Sequence, residues 1–360
     1  MSTEPPAKRQ RTEDASDTAS KQDESPQKSY LWFEDGNVVL QAEKTLFRVH
    51  KTVLALHSEF FADMFSICHS QHESQPMFEA GCPLISTADS AADLTCLLSS
   101  IYENQKKHNP GREIEGTRAA ALYRLGNKYG IDYLRDEMLL RLKIFFPSTL
   151  QDYQLDREYE MITATLPPAF RDLLLDRKFI IHPFGTLTVQ DMMALANLAY
   201  QYKIMIVLPA VYARFAHLSN VWIAFNTSLL EFKDLKDPLN PEFLNTCFVG
   251  KERIASAIQK AVSVRVGSCN PLPPCDRRPK CTATASDILW QIGSIACNQG
   301  IRCFILSVQR VLDSSDLPVC EKCVKTVMTT EYEPIREELW DNLPTYFGLP
   351  TWEEIKSGTS

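Results

Sequence analysis

The sequence predicts an α+β chain: an N-terminal domain with a short β-sheet flanked by helical hairpins, then a mainly α-helical C-terminal domain. Three observations carry this reading. Two short β-branched or alternating segments, residues 37–41 (NVVLQ) and 46–50 (LFRVH), flank a four-residue connection and read as a strand hairpin. At Thr52 the apolar spacing changes to that of a helix, with Val53, Leu56, Phe60, Phe61, Met64 and Phe65 on one face. Beyond residue 150 the spacing stays helical. The expected division is a disordered tail at 1–29, an ordered α+β domain at 30–150, and a helical domain at 151–360 that includes a Cys-containing loop.

The tail is rich in Ser, Pro, Gln, Asp, Glu and Lys and holds almost no large apolar residue, so it cannot offset the entropy of ordering. Within it, Lys8-Arg9-Gln10-Arg11 has the form of a short nuclear-import signal. Phe47 and Val49 share one face of the second strand, and residues 83–86 suggest a further short strand. Ser90 to Asp93 supply a helix start of capping-box type ahead of Leu94, Leu97, Leu98 and Ile101. A helix ending at Tyr129 is expected to stop at Gly130, with Asp132 capping the next. A weak repeat follows: Ala121-Leu122-x-x-Leu125-x-x-x-Tyr129-x-Ile131 matches Ala194-Leu195-x-x-Leu198-x-x-x-Tyr202-x-Ile204. Either duplication or the common spacing of amphipathic helix hairpins accounts for it.

Composition bounds the function. The chain has 360 residues, 44% hydrophobic and 23% charged, as in a globular protein. Its net charge of −7 gives no reason to expect nucleic-acid or anionic-membrane binding. The apolar stretch 192–215 carries Asn197, Gln201, Lys203 and Pro209, and a mid-bilayer lysine costs about 2.5–3.5 kcal/mol, so buried helices rather than a membrane span are expected. No secretory signal is visible, and the expected location is intracellular, in nucleus or cytoplasm.

The run 35–65, DGNVVLQAEKTLFRVHKTVLALHSEFFADMF, resembles the opening of a BTB/POZ domain. The residues that carry the resemblance are Phe47, the pair His50-Lys51, Val53-Leu54-Ala55, Ser58, and Phe61 with Met64 and Phe65. The blocks GCPLISTADSAADLTCLLSSIY (81–102) and LYRLGNKYGIDYLRDEM (122–138) resemble its later strand and closing helices. The ending LWDNLPTYFGLPTWEEI (339–355), with Cys320-x-x-Cys323 and the basic tail, is similar to a group of basidiomycete-type fungal BTB proteins. The resemblance implies a non-enzymatic adaptor or scaffold that forms a homodimer and binds a further protein, not yet specified. Leu31, Trp32, Phe33, Val53, Leu54 and Phe60 are the dimer-facing candidates, although the same residues suit the domain's own core. Some members recruit cullin-type ubiquitin ligases or transcriptional corepressors. In corepressor-binding members an acid pairs with the basic residue matched here by Lys51; the acidic position falls on Asn37, which cannot form that ion pair.

Of the eleven cysteines, Cys320 and Cys323 have the spacing with which two thiolates grip one metal, and Cys275 and Cys281 are the candidate second pair. That set suits a structural zinc in a nuclear regulatory protein, the alternative to a cofactor-free adaptor. A C-x5-C pair is not a standard zinc knuckle, and simple thiols are the competing reading. No catalytic motif is present: Gly250-Lys251 lacks the remainder of a phosphate loop, and H-E-x-x-H, G-x-S-x-G and G-x-G-x-x-G do not occur. The terminal cluster Trp340, Leu343, Tyr346, Phe347, Leu349 and Trp352 reads as a Pro-punctuated tail clamped onto the helical domain, or as an aromatic peptide groove.

Overall fold

The computed structural model describes residues 25–70, 77–78, 81–103, 113–153, 187–216, 238–268 and 332–358, together with positions 275, 281, 287, 289–290 and 293–294. The strands are β1 (Gln27–Trp32), β2 (Val38–Ala42), β3 (Thr45–Val49), β4 (Met77–Phe78) and β5 (Cys82–Thr87), in the sheet order β1-β3-β2-β5-β4. β2 and β3 form the expected antiparallel hairpin, Ala42 opposite Thr45. β1 joins β3 and β5 joins β2 in parallel, while β4 closes antiparallel on β5. The first described strand therefore begins at Gln27, three residues ahead of the expected start of the domain, and the expected tail before residue 25 lies outside the described residues. Alternation divides the sheet: Val38, Leu40, Phe47 and Val49 enter the main core, while Val39, Leu46 and Cys82 cover the other face.

The helix expected over 52–65 is two helices, α1 (Lys51–His57) and α2 (Glu59–Ser70). Ser58 breaks the run in extended geometry, φ −150° and ψ 117°. Its hydroxyl accepts the Phe61 N–H at 3.1 Å, as an N-cap does, and donates to the Tyr129 carbonyl. The break also divides the apolar residues. Leu54, Phe61 and Phe65 are buried, and each such side chain contributes about 1.5–3 kcal/mol. Leu56 and Phe60 point to solvent.

Next come α3 (Ala91–Tyr102), α4 (Gly116–Lys128) and α5 (Asp132–Phe145). Ser90 caps α3 through the Asp93 N–H, but the Asp93 carboxylate turns to Arg124 at 2.8 Å instead of completing a capping box. Glu43, in the β2–β3 turn with φ 51°, supplies the second acceptor, for the Ala91 N–H. Gly130 stops α4 with φ 63°, as expected. Asp132 does not cap α5: Ile131 holds the cap position, and Asp132 pairs with Arg135.

The helical region comprises α6 (Val189–Gln201), α7 (Leu208–Ala216), α8 (Pro241–Ser268), α9 (Glu333–Asp341), α10 (Leu343–Tyr346) and α11 (Trp352–Ser357). The apolar stretch at 192–215 is thus two helices with a bend, and no helix among the described residues is long and apolar enough to cross a membrane. The terminal cluster is a clamp. Tyr212 stacks between Phe243 and Phe347, at 5.0 and 5.1 Å. Trp352 stacks on Trp340 and donates its indole N–H to the Trp340 carbonyl at 2.8 Å. A Cβ on Gly250 would lie 2.1 Å from the Phe347 ring, so packing accounts for this glycine. Trp340, Leu343, Phe347 and Trp352 are all buried in the helical region, and Tyr346 and Leu349 pack half-buried against the same core.

Residue 150 is not a break in packing, because one apolar cluster runs from Leu31 to Ile355. α4 and α6, the repeated segments, lie against each other, with Tyr123 edge-on to Tyr202 at 5.3 Å. Their starts share one acid. Asp191 Oδ1 accepts the Thr117 N–H and hydroxyl at 2.8 and 3.0 Å, while Oδ2 accepts the same groups of Thr188 at 3.0 and 2.7 Å. Burial pushes this carboxyl up, but the four bonds outweigh it and hold it below the usual carboxylate value.

Candidate functional site

The most distinctive exposed feature of the α+β domain is apolar. Leu56 is 82% exposed, Ile67 61% and Phe60 49%, all on the outer side of α1 and α2. Phe60 and Ile67 are seven residues apart, two turns along one face of α2. Tyr133, at the start of α5, extends the patch: it is 42% exposed, and its hydroxyl meets the His57 Nδ1 at 3.1 Å. Large apolar side chains exposed together on two successive helices mark a candidate binding face. Underneath, Phe61 stacks on Tyr129 at 4.7 Å, and the Tyr129 hydroxyl bonds to Asp89, whose other oxygen takes Lys128. Burial and the neighbouring carboxylate push the Tyr129 phenol upward, so it remains a neutral donor. The patch thus rests on a rigid support.

The six dimer-facing candidates separate in the structure. Leu31 and Leu54 lie in the chain's own core, at 3% and 0% exposure, and packing removes them from any surface role while the fold is intact. Phe33 and Val53 are half-buried against that core, and Trp32 against the smaller cluster on the other face of the sheet. Phe60 alone of the six presents a large apolar surface. Sequence periodicity passed over Leu56, Ile67 and Tyr133 as surface residues, because on a helical wheel Leu56 shares the stripe of Phe60. The helix break at Ser58 turns that stripe outward.

The signature residues mostly build the domain. Phe47, Ser58, Phe61 and Phe65 are buried, and Met64 packs against the core. His50 joins three elements: its N–H donates to the Tyr102 hydroxyl at 2.9 Å, its Nδ1 lies 3.3 Å from the same oxygen, and its Nε2 reaches Asp35 at 3.1 Å. That hydrogen bond holds the exposed Asp35 carboxyl below its ordinary value. Asn37 accepts the Lys51 backbone N–H at 2.8 Å, so it serves the start of α1. The Lys51 ammonium lies 5.9 Å from the Phe65 ring. Asp35, which by position is out of register with Lys51, is engaged by His50.

These elements are a hairpin followed by paired helices and a crossing strand. Residues 33–143 match the family model of the BTB/POZ domain. No curated protein and no solved structure gives a match to the chain. The BTB/POZ domain is a protein-interaction domain and is typically non-enzymatic, so an interaction role follows from it. Its fold here is α+β, with a mainly helical remainder.

Of the four metal-ligand candidates, Cys320 and Cys323 lie outside the described residues. Cys281 is buried and Cys275 half-buried. Among the described residues no group of three or more His, Cys, Asp or Glu side chains is arranged to hold a metal ion. Burial pushes the Cys96 and Cys247 thiols up, which keeps both protonated at neutral pH and poor as nucleophiles.

Proposed function

We propose that the protein is an adaptor or scaffold that self-associates through the α1–α2 face of its BTB/POZ domain and presents the helical region to a further protein. The observation that supports this most is the solvent-facing patch of Leu56, Phe60 and Ile67 on a domain whose role is protein interaction. Covering such a patch with a second copy of itself removes apolar area from water on both partners at once, and a two-fold contact is the simplest closed arrangement. The Ser58 break and the Tyr129–Asp89–Lys128 network fix the geometry in advance, which lowers the entropy lost on association.

Two copies of the chain carrying different affinity tags, co-expressed and purified through one tag, test this. The second copy is expected to be retained with the native sequence and lost with Leu56→Asp combined with Phe60→Asp. Equal recovery of the variant would move self-association to another surface; no recovery of the native copy would end the reading.

A further inference from the structure

A second surface lies where the BTB/POZ domain meets the helical region. It is a cleft of 1230 Å³ walled by α3, α4, α6 and residues 238–241 at the entry to α8, so neither part of the chain makes it alone. Four helices begin at its rim, and their first N–H groups are already served. Ser90 and Glu43 take those of α3, Asp191 takes the Thr117 N–H of α4, Thr188 takes the Asp191 N–H of α6, and Asn240 accepts the Glu242 N–H of α8 at 2.8 Å. The helix ends therefore leave little demand for an anion. Of the two arginines in the wall, Arg124 is neutralised by Asp93.

Arg118 is different. It is half-buried, and its Nη2 donates to the hydroxyls of Ser99 and Ser100 at 3.2 and 2.9 Å. Both serines are buried and uncharged, so they orient the guanidinium without balancing it. No carboxylate pairs with Arg118 among the described residues. The two bonds use the Nη2 hydrogens and leave those of Nη1 and Nε, from which a carboxylate oxygen can accept a single charge-assisted bond. The surroundings restrict what can bring one. Glu43, Asp93, Glu115 and Asp191 line the same cleft and oppose a polyanion, whereas the small side chains of Ala92, Ala121 and Ala194 beside Leu198 leave room for an extended chain.

We infer that this cleft docks a peptide segment of a partner protein through one Asp or Glu side chain seated on Arg118, among otherwise neutral or basic residues. The inference rests on the reading of the chain as an interaction protein and adds the chemistry of what the second surface takes. It uses a face distinct from the α1–α2 patch, so one copy can self-associate and hold a client at the same time.

The test is selection from a phage-displayed random peptide library on the full chain, followed by fluorescence polarisation with the selected peptides. The expected consensus contains one acidic residue. Arg118→Gln is expected to weaken binding roughly tenfold or more, the loss of one charge-assisted pair. Arg118→Lys should keep part of the affinity, and Ala92→Trp, which narrows the cleft from an exposed position, should weaken binding without touching the charge. If Arg118→Gln fails to fold by near-ultraviolet circular dichroism, Ala92→Trp decides. A consensus without an acid, a basic consensus, no selected binders, or acidic peptides indifferent to both substitutions would overturn the proposal. Failure here with tagged copies still co-purifying removes the cleft alone; loss of both removes the adaptor reading as well.

Discussion

The hairpin of α4 and α5 and the hairpin of α6 and α7 follow one plan and are finished differently. Both first helices end in the same way: the Ile131 N–H reaches back to the Gly126 carbonyl at 2.8 Å, and the Ile204 N–H to the Ala199 carbonyl at 3.0 Å. In each, the residue before the isoleucine is left-handed, and the isoleucine is buried as the contact that accompanies this stop. In the BTB/POZ domain that residue is Gly130; in the helical region it is Lys203, at φ 49°, where a side chain strains the backbone. The starts differ in the other direction. α6 has its own capping box from Thr188 and Asp191, while the Glu115 cap position of α4 offers no side-chain bond and α4 relies on Asp191. The difference teaches that the helical region is part of how the BTB/POZ domain is held together. Each hairpin is incomplete at one end.

The largest effect is expected at the shared acid. Asp191→Ala removes the acceptor for two helix starts and should cost about 2–4 kcal/mol in urea unfolding, the sum of two caps. Asp191→Asn should recover part of it. If the loss is no larger than one cap, the two regions are not coupled there. Gly116→Ala comes next, because its Cβ would stand 2.7 Å from the Asp191 Cβ and 3.1 Å from its backbone. A cost of about 1–3 kcal/mol is expected from separating α4 from α6. The two helix stops should respond with opposite sign: Lys203→Gly is expected to stabilise by about 1 kcal/mol, and Gly130→Ala to destabilise by about 1–2 kcal/mol, read from the same unfolding curves. The smallest effect is in acid. The folded Asp191 carboxyl titrates below 3.8, its value in the unfolded chain, so its contribution is complete above that pH and is lost as pH falls through the folded value. Stability curves of native and Asp191→Ala protein should therefore converge in strong acid. Parallel curves would assign the Asp191 effect to packing.

Much of the BTB/POZ domain was legible in the sequence because local signals agreed there: strand alternation on either side of a short turn, a Ser at a helix start, a Gly at a helix stop. The helix break at Ser58 was not, since the acceptor that favours it, the Tyr129 carbonyl, is distant in sequence and invisible to periodicity. That one omission kept Leu56 on an expected core face and placed Leu54 among the surface candidates. Asp132 and Asp93 each suggested a cap but form an ion pair instead: Arg135 stands one turn along the same helix from Asp132, while Arg124 reaches Asp93 only once α3 and α4 pack. Asp191 closes a Thr188-x-x-Asp191 capping box that the sequence reading passed over, and Arg118 carried no motif. Their importance comes from where the α4–α6 contact places them.

The most direct measurement is the mass of the intact protein in solution, by light scattering coupled to size exclusion at micromolar concentration, for the native chain and for Phe60→Asp. The account predicts twice the chain mass for the native protein and the mass of a single chain for Phe60→Asp, with the same far-ultraviolet circular dichroism for both. A native protein that is strictly monomeric, or a Phe60→Asp variant that stays dimeric, would contradict it.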